Sequence, residues 1–203
     1  MLPKLIFATN NAHKVAEIQS AVGSAIEVIT MREAGIDQDI PEPFPTLREN
    51  AETKAQTIAR LSGLPCFGED TGLEVDELNG APGVKSARYA GEPQDAAANV
   101  QKLLAELGTS ENRAACFRTV IALVMDGECH FFEGICTGHI TLSPRGTEGF
   151  GYDPVFIPDG SEQTFAEMGL EEKNRYSHRK KAADALVLFL QDRIKNFPSS
   201  GIK

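Results

Sequence analysis

The sequence predicts an α/β protein built on a mixed β-sheet with flanking helices. Short apolar runs typical of strands alternate with segments of helical periodicity along most of the 203 residues, as expected for a sheet covered by helices. Phe117–Met125 and Cys129–Ile140 are β-rich and are joined by Asp126-Gly127, a strong hairpin signal. Because a hairpin contributes antiparallel pairing, the sheet is expected to be mixed.

The elements of the first half follow from apolar periodicity and from stop signals. Helical spacing begins at Lys14, and a later helix ends where Gly63 and Pro65 interrupt it. Glu33–Pro45 contains three prolines and is expected to be a functional surface loop. The predicted elements are strands at Lys4–Ala8, Ile26–Ile29, Cys66–Gly68 and Leu73–Val75, and helices from Lys14 and at Leu47–Leu61.

Two further helices accompany the hairpin in the second half. Asp95 is a suitable N-cap for the first of them. The expected order is a loop at Gly80–Gly91, a helix at Asp95–Leu107, the hairpin, a loop at Ser143–Asp153, a strand near Val155–Ile157 and a helix from Ser177 to Lys195. Pro198–Lys203 is expected to be a disordered tail.

Composition and charge restrict the class of protein. The chain is 41% hydrophobic and 24% charged, which is ordinary for a globular protein. The apolar run Leu5–Ala8 is too short for a signal peptide or a membrane span, so a cytoplasmic location without membrane contact is expected. A net charge of −9 argues against a nucleic-acid partner but is compatible with a nucleotide site. The four cysteines lack the spacing of zinc sites and are expected to be buried free thiols.

The first polar cluster lies between the first strand and the first helix. It consists of Thr9, Asn10, Asn11, Ala12, His13 and Lys14. A loop leading into a helix N-terminus presents free amides and the positive end of the helix dipole, which favour phosphate, and Lys14 adds a cation. The segment lacks the Gly-x-x-x-x-Gly-Lys spacing of a P-loop. The alternative is that Asn10 or Asn11 only caps the helix.

The second cluster is acidic. Glu69 and Asp70 follow an apolar run and precede Thr71. Carboxylates at such a position need a positive partner, and Mg²⁺ binds one or two carboxylates together with phosphate oxygens. Glu42 in the proline-rich loop could supply a further oxygen, which makes Glu42, Glu69 and Asp70 candidate metal ligands. The alternative is a surface turn with solvated acids.

The third cluster combines aromatic residues, glycines and hydrogen-bond donors. Its members are Phe150, Gly151, Tyr152, Asp153, Lys173, His178 and Arg179. A ring held between glycines could stack on a base, which contributes about 1–3 kcal/mol. The alternatives are that Lys173 is a solvated helix charge and His178 a satisfied polar residue. The residues by themselves thus indicate a phosphate or nucleotide site and leave the reaction open.

Taken together, these clusters resemble the inosine triphosphate pyrophosphatase family, the dITP/XTP pyrophosphatases. The matching segments run in order from residue 5 to about 190, nearly the whole chain. They are Ala8–Asn11 with Lys14 and Glu17, Glu49–Ala51 with Lys54-Ala55, Glu69–Leu73, Val75-Asp76, Gly80–Gly83, Ser86–Gly91, Gly149–Pro154, Ala166–Met168, Lys173-Asn174 and Ser177–Arg179. Position 10 is Asn where many relatives have Gly, and positions 69 and 71 are Glu and Thr where Asp and Ser are commoner.

The resemblance implies a fold, a reaction and an assembly. The fold is a single α/β domain of two lobes over residues 1–197, with a nucleotide cleft between the lobes, and the protein is usually a homodimer. The reaction is Mg²⁺-dependent hydrolysis of purine nucleoside triphosphates with a 6-oxo base, such as ITP, dITP and XTP, to the monophosphate and pyrophosphate. A Maf-like pyrophosphatase of other specificity and a non-catalytic nucleotide-binding regulator are the alternatives.

The resemblance also implies a role for each cluster. Thr9–Lys14 and Lys54 bind the triphosphate, and Thr71 touches the substrate. Asp70 is the general base and lies at the Mg²⁺ site with Glu42. The base and sugar are surrounded by Phe150, Gly151, Tyr152, Asp153, Lys173, His178 and Arg179.

Overall fold

The computed structural model describes residues 4–196, which form one seven-stranded mixed sheet with helices on both faces. The strands are β1 (Lys4–Phe7), β2 (Glu27–Thr30), β3 (Cys66–Val75), β4 (Pro82–Gly83), β5 (Ala114–Met125), β6 (Glu128–Ile140) and β7 (Phe156–Pro158). The helices are α1 (Ala12–Val22), α2 (Leu47–Ser62), α3 (Ala96–Leu107), α4 (Leu170–Lys173) and α5 (His178–Asn196). The predicted α/β class is confirmed. The tail expected at Pro198–Lys203 lies outside the described residues.

The sheet combines a parallel edge with an antiparallel body. Its order is β2-β1-β3-β5-β6-β7, and β4 pairs with β3 off this path. β1 is parallel to both β2 and β3, whereas β3–β5, β5–β6 and β6–β7 are antiparallel. The β5–β6 hairpin turns at Asp126 and Gly127, whose φ angles of 54° and 80° are those of the primed turn that the sequence predicts.

One strand is longer than the sequence predicts. Two short strands were expected on either side of Glu69–Gly72, but β3 continues through these polar residues without interruption. Each residue from Cys66 to Val75 pairs with β5, which keeps the backbone extended. The polar side chains are tolerated there because they are buried in ion pairs and hydrogen bonds instead of turning to solvent.

Three hydrophobic clusters pack against the long strands. Ile121 and Leu123 of β5 pack with α1 and α5 on one face of the sheet, while the alternate residues Val120 and Ala122 face α2 on the other. The third cluster surrounds α3 at the other end of β3 and β5. The polar segment of β3 therefore lies between two packed regions, where a cleft can form.

The four cysteines are free thiols, as predicted, but only Cys66 and Cys136 are buried. Cys116 and Cys129 are half-buried, because they lie on long strands near the surface of the hairpin. Burial raises the pKa of the Cys66 thiol to about 12. In the part of the chain that the structure describes, no helix is long and apolar enough to span a bilayer.

Candidate nucleotide site

A cleft of about 400 Å³ opens beside the polar segment of β3. The predicted residues that line it are Asn11, His13, Lys14, Glu42, Asp70, Thr71, Phe150, Gly151, Tyr152, Asp153, Lys173, His178 and Arg179. Lys54 and Glu69 lie directly behind this lining and contact it. Thr9 and Asn10 belong to the adjoining loop, and Ala12 is the first residue of α1. A larger groove of about 700 Å³, around Arg48 and Phe131, contains none of the predicted site residues.

The loop between β1 and α1 is held by its own side chains. The Asn11 amide donates to Thr9 Oγ1 over 3.2 Å, and Asn11 Oδ1 accepts the Lys14 amide over 3.1 Å. Asn11 is therefore the N-cap of α1, as the alternative interpretation stated, and it also lines the cleft. The His13 ring stacks on Phe150 with centroids 5.2 Å apart. The start of α1 therefore contacts the segment Gly149–Pro154, called the aromatic loop below.

The acidic end of the cleft is organised by Lys54. Its ammonium lies 2.6 Å from Glu42 Oε1 and 3.2 Å from Asp70 Oδ1, bridging two carboxylates from different elements. Arg88 contacts the other oxygen of Glu42 over 2.9 Å. Asn50 holds the proline-rich loop in place, because it both donates to and accepts from the backbone of Phe44. Burial raises the pKa of Asp70, and the Lys54 cation opposes this shift.

Glu69 faces a different set of partners from its neighbour Asp70, because side chains alternate along a strand. Arg179 Nε and Nη2 donate to its two oxygens over 3.0 and 2.9 Å, and Lys14 Nζ lies 3.5 Å away. Burial acts to raise the pKa of Glu69, but the Arg179 and Lys14 cations outweigh it and hold that pKa well below its usual range. Glu69 is thus an ionised partner of Arg179.

A buried ion network forms the opposite end of the cleft. Lys173 Nζ lies 2.7 Å from both Glu17 and Asp153, and Arg179 Nη1 also donates to Glu17. Arg179 is only 2% exposed. Burial acts to lower its pKa, but the two carboxylates Glu69 and Glu17 raise it above the ordinary value. The network joins α1, the aromatic loop and the start of α5 through side chains alone.

In the aromatic loop, Phe150 lines the cleft, whereas the side chains of Tyr152 and Asp153 hold the loop in place by hydrogen bonds within the protein. Asp153 Oδ2 accepts the Phe150 amide over 2.8 Å, which closes the turn. The Tyr152 hydroxyl donates to the Ser86 carbonyl over 2.9 Å, so this buried ring ties the loop to the Gly80–Gly91 segment. Lys173 Nζ lies 5.4 Å from the Phe150 ring centre, within cation–π range.

His178 has an unusual environment for a histidine. It is buried, its ring stacks on Phe117 with centroids 4.6 Å apart, and its Nδ1 has no hydrogen-bond partner among residues 4–196. Burial and the neighbouring Arg179 cation hold the pKa of His178 well below its ordinary value. The ring is therefore neutral at neutral pH and has an uncommitted nitrogen beside the cleft.

Gly134 on β6 allows α5 to lie directly on the sheet. A Cβ at this position would fall less than 3.0 Å from the backbone of His178 and Ala182. We expect Gly134→Ala to displace the start of α5, and with it Arg179, destabilising the protein by about 1–3 kcal/mol and raising KM in the nucleotide hydrolysis that the resemblance implies. Thermal unfolding and nucleotide hydrolysis measure the two effects.

The matched control for this substitution is Gly169→Ala. A Cβ at Gly169 would meet nothing within 4 Å, and its φ of −67° is accessible to alanine. A Gly134→Ala protein as stable and active as the Gly169→Ala protein would show that the close approach of α5 is unimportant.

Several residues that build the site were not predicted. Glu17 belongs to a matching segment, but sequence reasoning assigned it no role. Its position one turn after Lys14 on α1 was the available signal. Thr119 and Gly134 carry no local signal, because they approach the site only through strand register. Asn50 and Ser86 stand in matching segments but were also given no role. Asn50 on α2 binds the backbone of Phe44 six residues earlier, and the Ser86 carbonyl accepts from Tyr152 on a distant loop.

Comparison with known proteins identifies the relatives of this chain. The Ham1 family model matches residues 5–189. The dITP/XTP pyrophosphatase of Porphyromonas gingivalis is 54% identical over 190 residues, covering 93% of this chain and 98% of that protein. The dITP/XTP pyrophosphatase of Flavobacterium johnsoniae is 48% identical, covering 91% of this chain and 96% of that protein.

Solved structures agree with the sequence relatives. The Ham1 protein of Staphylococcus aureus superposes with a TM-score of 0.85 at 37% identity, covering 94% of this chain and 99% of that one. The Ham1 protein of Coxiella burnetii gives a TM-score of 0.85 at 38% identity, covering 95% and 100%. On its sequence, its fold and nearly its full length, the chain belongs to the Ham1 family, with dITP/XTP pyrophosphatases among its relatives.

Proposed function

We propose that this protein hydrolyses non-standard purine nucleoside triphosphates, such as ITP, dITP and XTP, to the monophosphate and pyrophosphate. The observation that carries the proposal is the polarity of the cleft. At one end, Lys54 pairs with the carboxylates of Glu42 and Asp70. At the other, the Phe150 ring lies within cation–π range of the buried Lys173 and Arg179. A nucleoside triphosphate has this arrangement of charge and ring, and the relatives named above are dITP/XTP pyrophosphatases.

Glu42 and Asp70 are the proposed Mg²⁺ ligands. Both are hard oxygen donors, and their shared ion pair with Lys54 brings the two carboxylates to one cation, which supports this proposal. Within residues 4–196, no group of three or more His, Cys, Asp or Glu side chains could hold a metal ion. Mg²⁺ takes one or two carboxylates and completes its shell with phosphate oxygens and water. Glu69, the third expected ligand, is reassigned as the partner of Arg179, because both its oxygens accept from that side chain.

In the proposed reaction, water attacks the α-phosphorus in line. An O–P bond forms to the water oxygen, the bond from the α-phosphorus to the bridging oxygen breaks, and Asp70 takes the proton of the water. Lys14 and Lys54 neutralise the charge that develops on the departing pyrophosphate. Bound Mg²⁺ would supply additional neutralisation of the phosphate oxygens.

Arg179 is the proposed reader of the 6-oxo group. A guanidinium has five N–H groups, and four of those on Arg179 are taken within the described residues by Glu69, Glu17 and Thr71. Arg179 also lines the cleft, so one Nη1 hydrogen is available to an acceptor. Adenine presents an amino donor at that position, and two facing donors leave a buried group unpaired, which costs about 1–3 kcal/mol.

The proposal predicts rapid pyrophosphate release from ITP, dITP and XTP with Mg²⁺, loss of release with EDTA, and little release from ATP, which lacks the 6-oxo acceptor. Little release is also expected from GTP, which shares the 6-oxo group with ITP and would have to be rejected at its 2-amino group. A panel of these five nucleotides tests the reaction and the pocket separately. Equal release from all five would preserve the reaction and refute selection at the 6-oxo position. Binding of ITP without release from any nucleotide would favour the regulator.

The homodimer and the cytoplasmic location that the sequence implies remain part of this proposal. Sedimentation at micromolar concentration should give twice the mass of one chain, and a monomeric mass would remove the dimer from the proposal.

A further inference from the structure

Thr119 lies at the centre of the sheet, behind the cleft. Its side chain is fully buried on β5. Register places it directly opposite Thr71 on β3 and next to Gly134 on β6. The three positions form one cross-strand row, over which the start of α5 passes.

The hydrogen bonds of Thr71 have defined directions. Its hydroxyl has one proton and two lone pairs, and it contacts Glu69, Arg179 Nη2 at 3.2 Å and Thr119 Oγ1 at 2.6 Å. Both Glu69 oxygens accept from the Arg179 guanidinium, which can only donate, so the Glu69 carboxylate is an acceptor in this cluster. Thr71 must therefore donate to Glu69 and accept from Arg179.

The remaining lone pair of Thr71 is directed to Thr119. Since the single Thr71 proton is already used, the Thr119 hydroxyl must be the donor in this contact. The Thr71 hydroxyl then has no proton or lone pair left for a hydrogen bond to the substrate. The contact with the substrate that the resemblance implies for Thr71 must therefore come from its backbone or its methyl group.

We propose that Thr119 is a positioning residue for base recognition, which holds Thr71 and, through it, the guanidinium plane of Arg179. The proposal rests on the proposed function, because it assigns Arg179 to the base. Thr119 acts on the face of β3 that contains Glu69 and Thr71, whereas Asp70 faces Lys54 and Glu42. Loss of the hydroxyl should therefore affect binding of the base more than the chemical step.

The test compares Thr119→Val with Thr119→Ser. Valine has the shape of threonine but leaves a buried Thr71 lone pair unpaired, so KM for ITP should rise about three- to tenfold while kcat changes less than about twofold. Serine keeps the donor and should restore KM to near the wild-type value. Thr137→Val, on the exposed part of β6, is the control for adding valine to a strand.

Three outcomes would overturn the proposal. The first is a Thr119→Val protein of lower melting temperature with unchanged KM, and the second is a Thr119→Ser protein as impaired as the valine variant. The third is a Thr71→Val/Thr119→Val double variant whose effects add, since two members of one relay should not be independent. If Thr119→Val fails to fold by circular dichroism, Thr119→Ala tests the same loss.

Wild-type turnover of ITP, measured alongside, separates failure of the proposed function from failure of this inference. Calorimetric binding of inosine monophosphate gives the same comparison without turnover. There we expect Thr119→Val to raise Kd by about three- to tenfold, and an unchanged Kd would count against the positioning role.

Discussion

Asp70→Asn should reduce kcat for ITP by about 10²–10⁴-fold while the protein stays folded. Asparagine keeps the shape and the hydrogen bond from Asn50, over 3.4 Å in the native protein, but it cannot accept a proton from water. It also removes one of the two carboxylates that Lys54 bridges. Pyrophosphate release measures the loss, and circular dichroism shows whether the fold is retained.

Glu74→Gln is the matched control for Asp70→Asn. Glu74 lies on the same strand but pairs with Arg118, outside the nucleotide cleft. We expect its activity to stay within about twofold of wild type, as for surface substitutions away from a site. If Asp70→Asn retained nearly wild-type turnover, another group would have to accept the proton, and the assignment of Asp70 as base would be wrong.

Glu17→Gln should destabilise the protein by about 3 kcal/mol and lower its melting temperature by about 10 °C. Glu17 is 6% exposed and is shared by Lys173 and Arg179. Removing the Glu17 charge leaves two buried cations without enough carboxylates to neutralise them. Breaking a buried ion pair in this way lowers stability more than replacing the whole pair by apolar residues. Urea unfolding at pH 7 measures the change, and KM should rise because both cations face the proposed base site.

The Glu17 contribution should also depend on pH. Burial acts to raise the pKa of Glu17, but Arg179 and Lys173 outweigh it and hold that pKa below its ordinary value. A carboxyl whose pKa is lowered in the folded state contributes its full stabilisation of the fold above its unfolded-state pKa of about 4.3. This stabilisation is lost as pH falls through the folded-state pKa. The stability difference between wild type and Glu17→Gln should therefore shrink below about pH 4.3.

A surface ion pair provides the control for this substitution. Glu27 lies 3.0 Å from Lys4, and both side chains are more than half exposed. Glu27→Gln should change stability by less than about 0.5 kcal/mol. A Glu17→Gln protein as stable as the Glu27→Gln protein, or a stability gap independent of pH, would contradict the view that the buried network holds this end of the cleft.

Local signals in the sequence determined most elements of the fold. Apolar periodicity identified the four longer helices but not the one-turn α4. Asp126-Gly127 identified the hairpin, because its primed turn needs two positive φ angles. The same reasoning missed the continuity of β3, since polar residues at Glu69–Gly72 suggest a turn when their partners are unknown. Strand pairing and ion pairing override that local preference.

For the site, the sequence by itself determined which residues to group, because the three polar clusters and the resemblance both depend on residue type and order. Only the tertiary structure decided which partners Glu69 and Asp70 have. Adjacent residues on a strand face opposite sides, so one meets Arg179 and the other Lys54. Thr119, Gly134 and Glu17 joined the site for the same reason, since register and helix packing bring together residues that no spacing in the sequence connects.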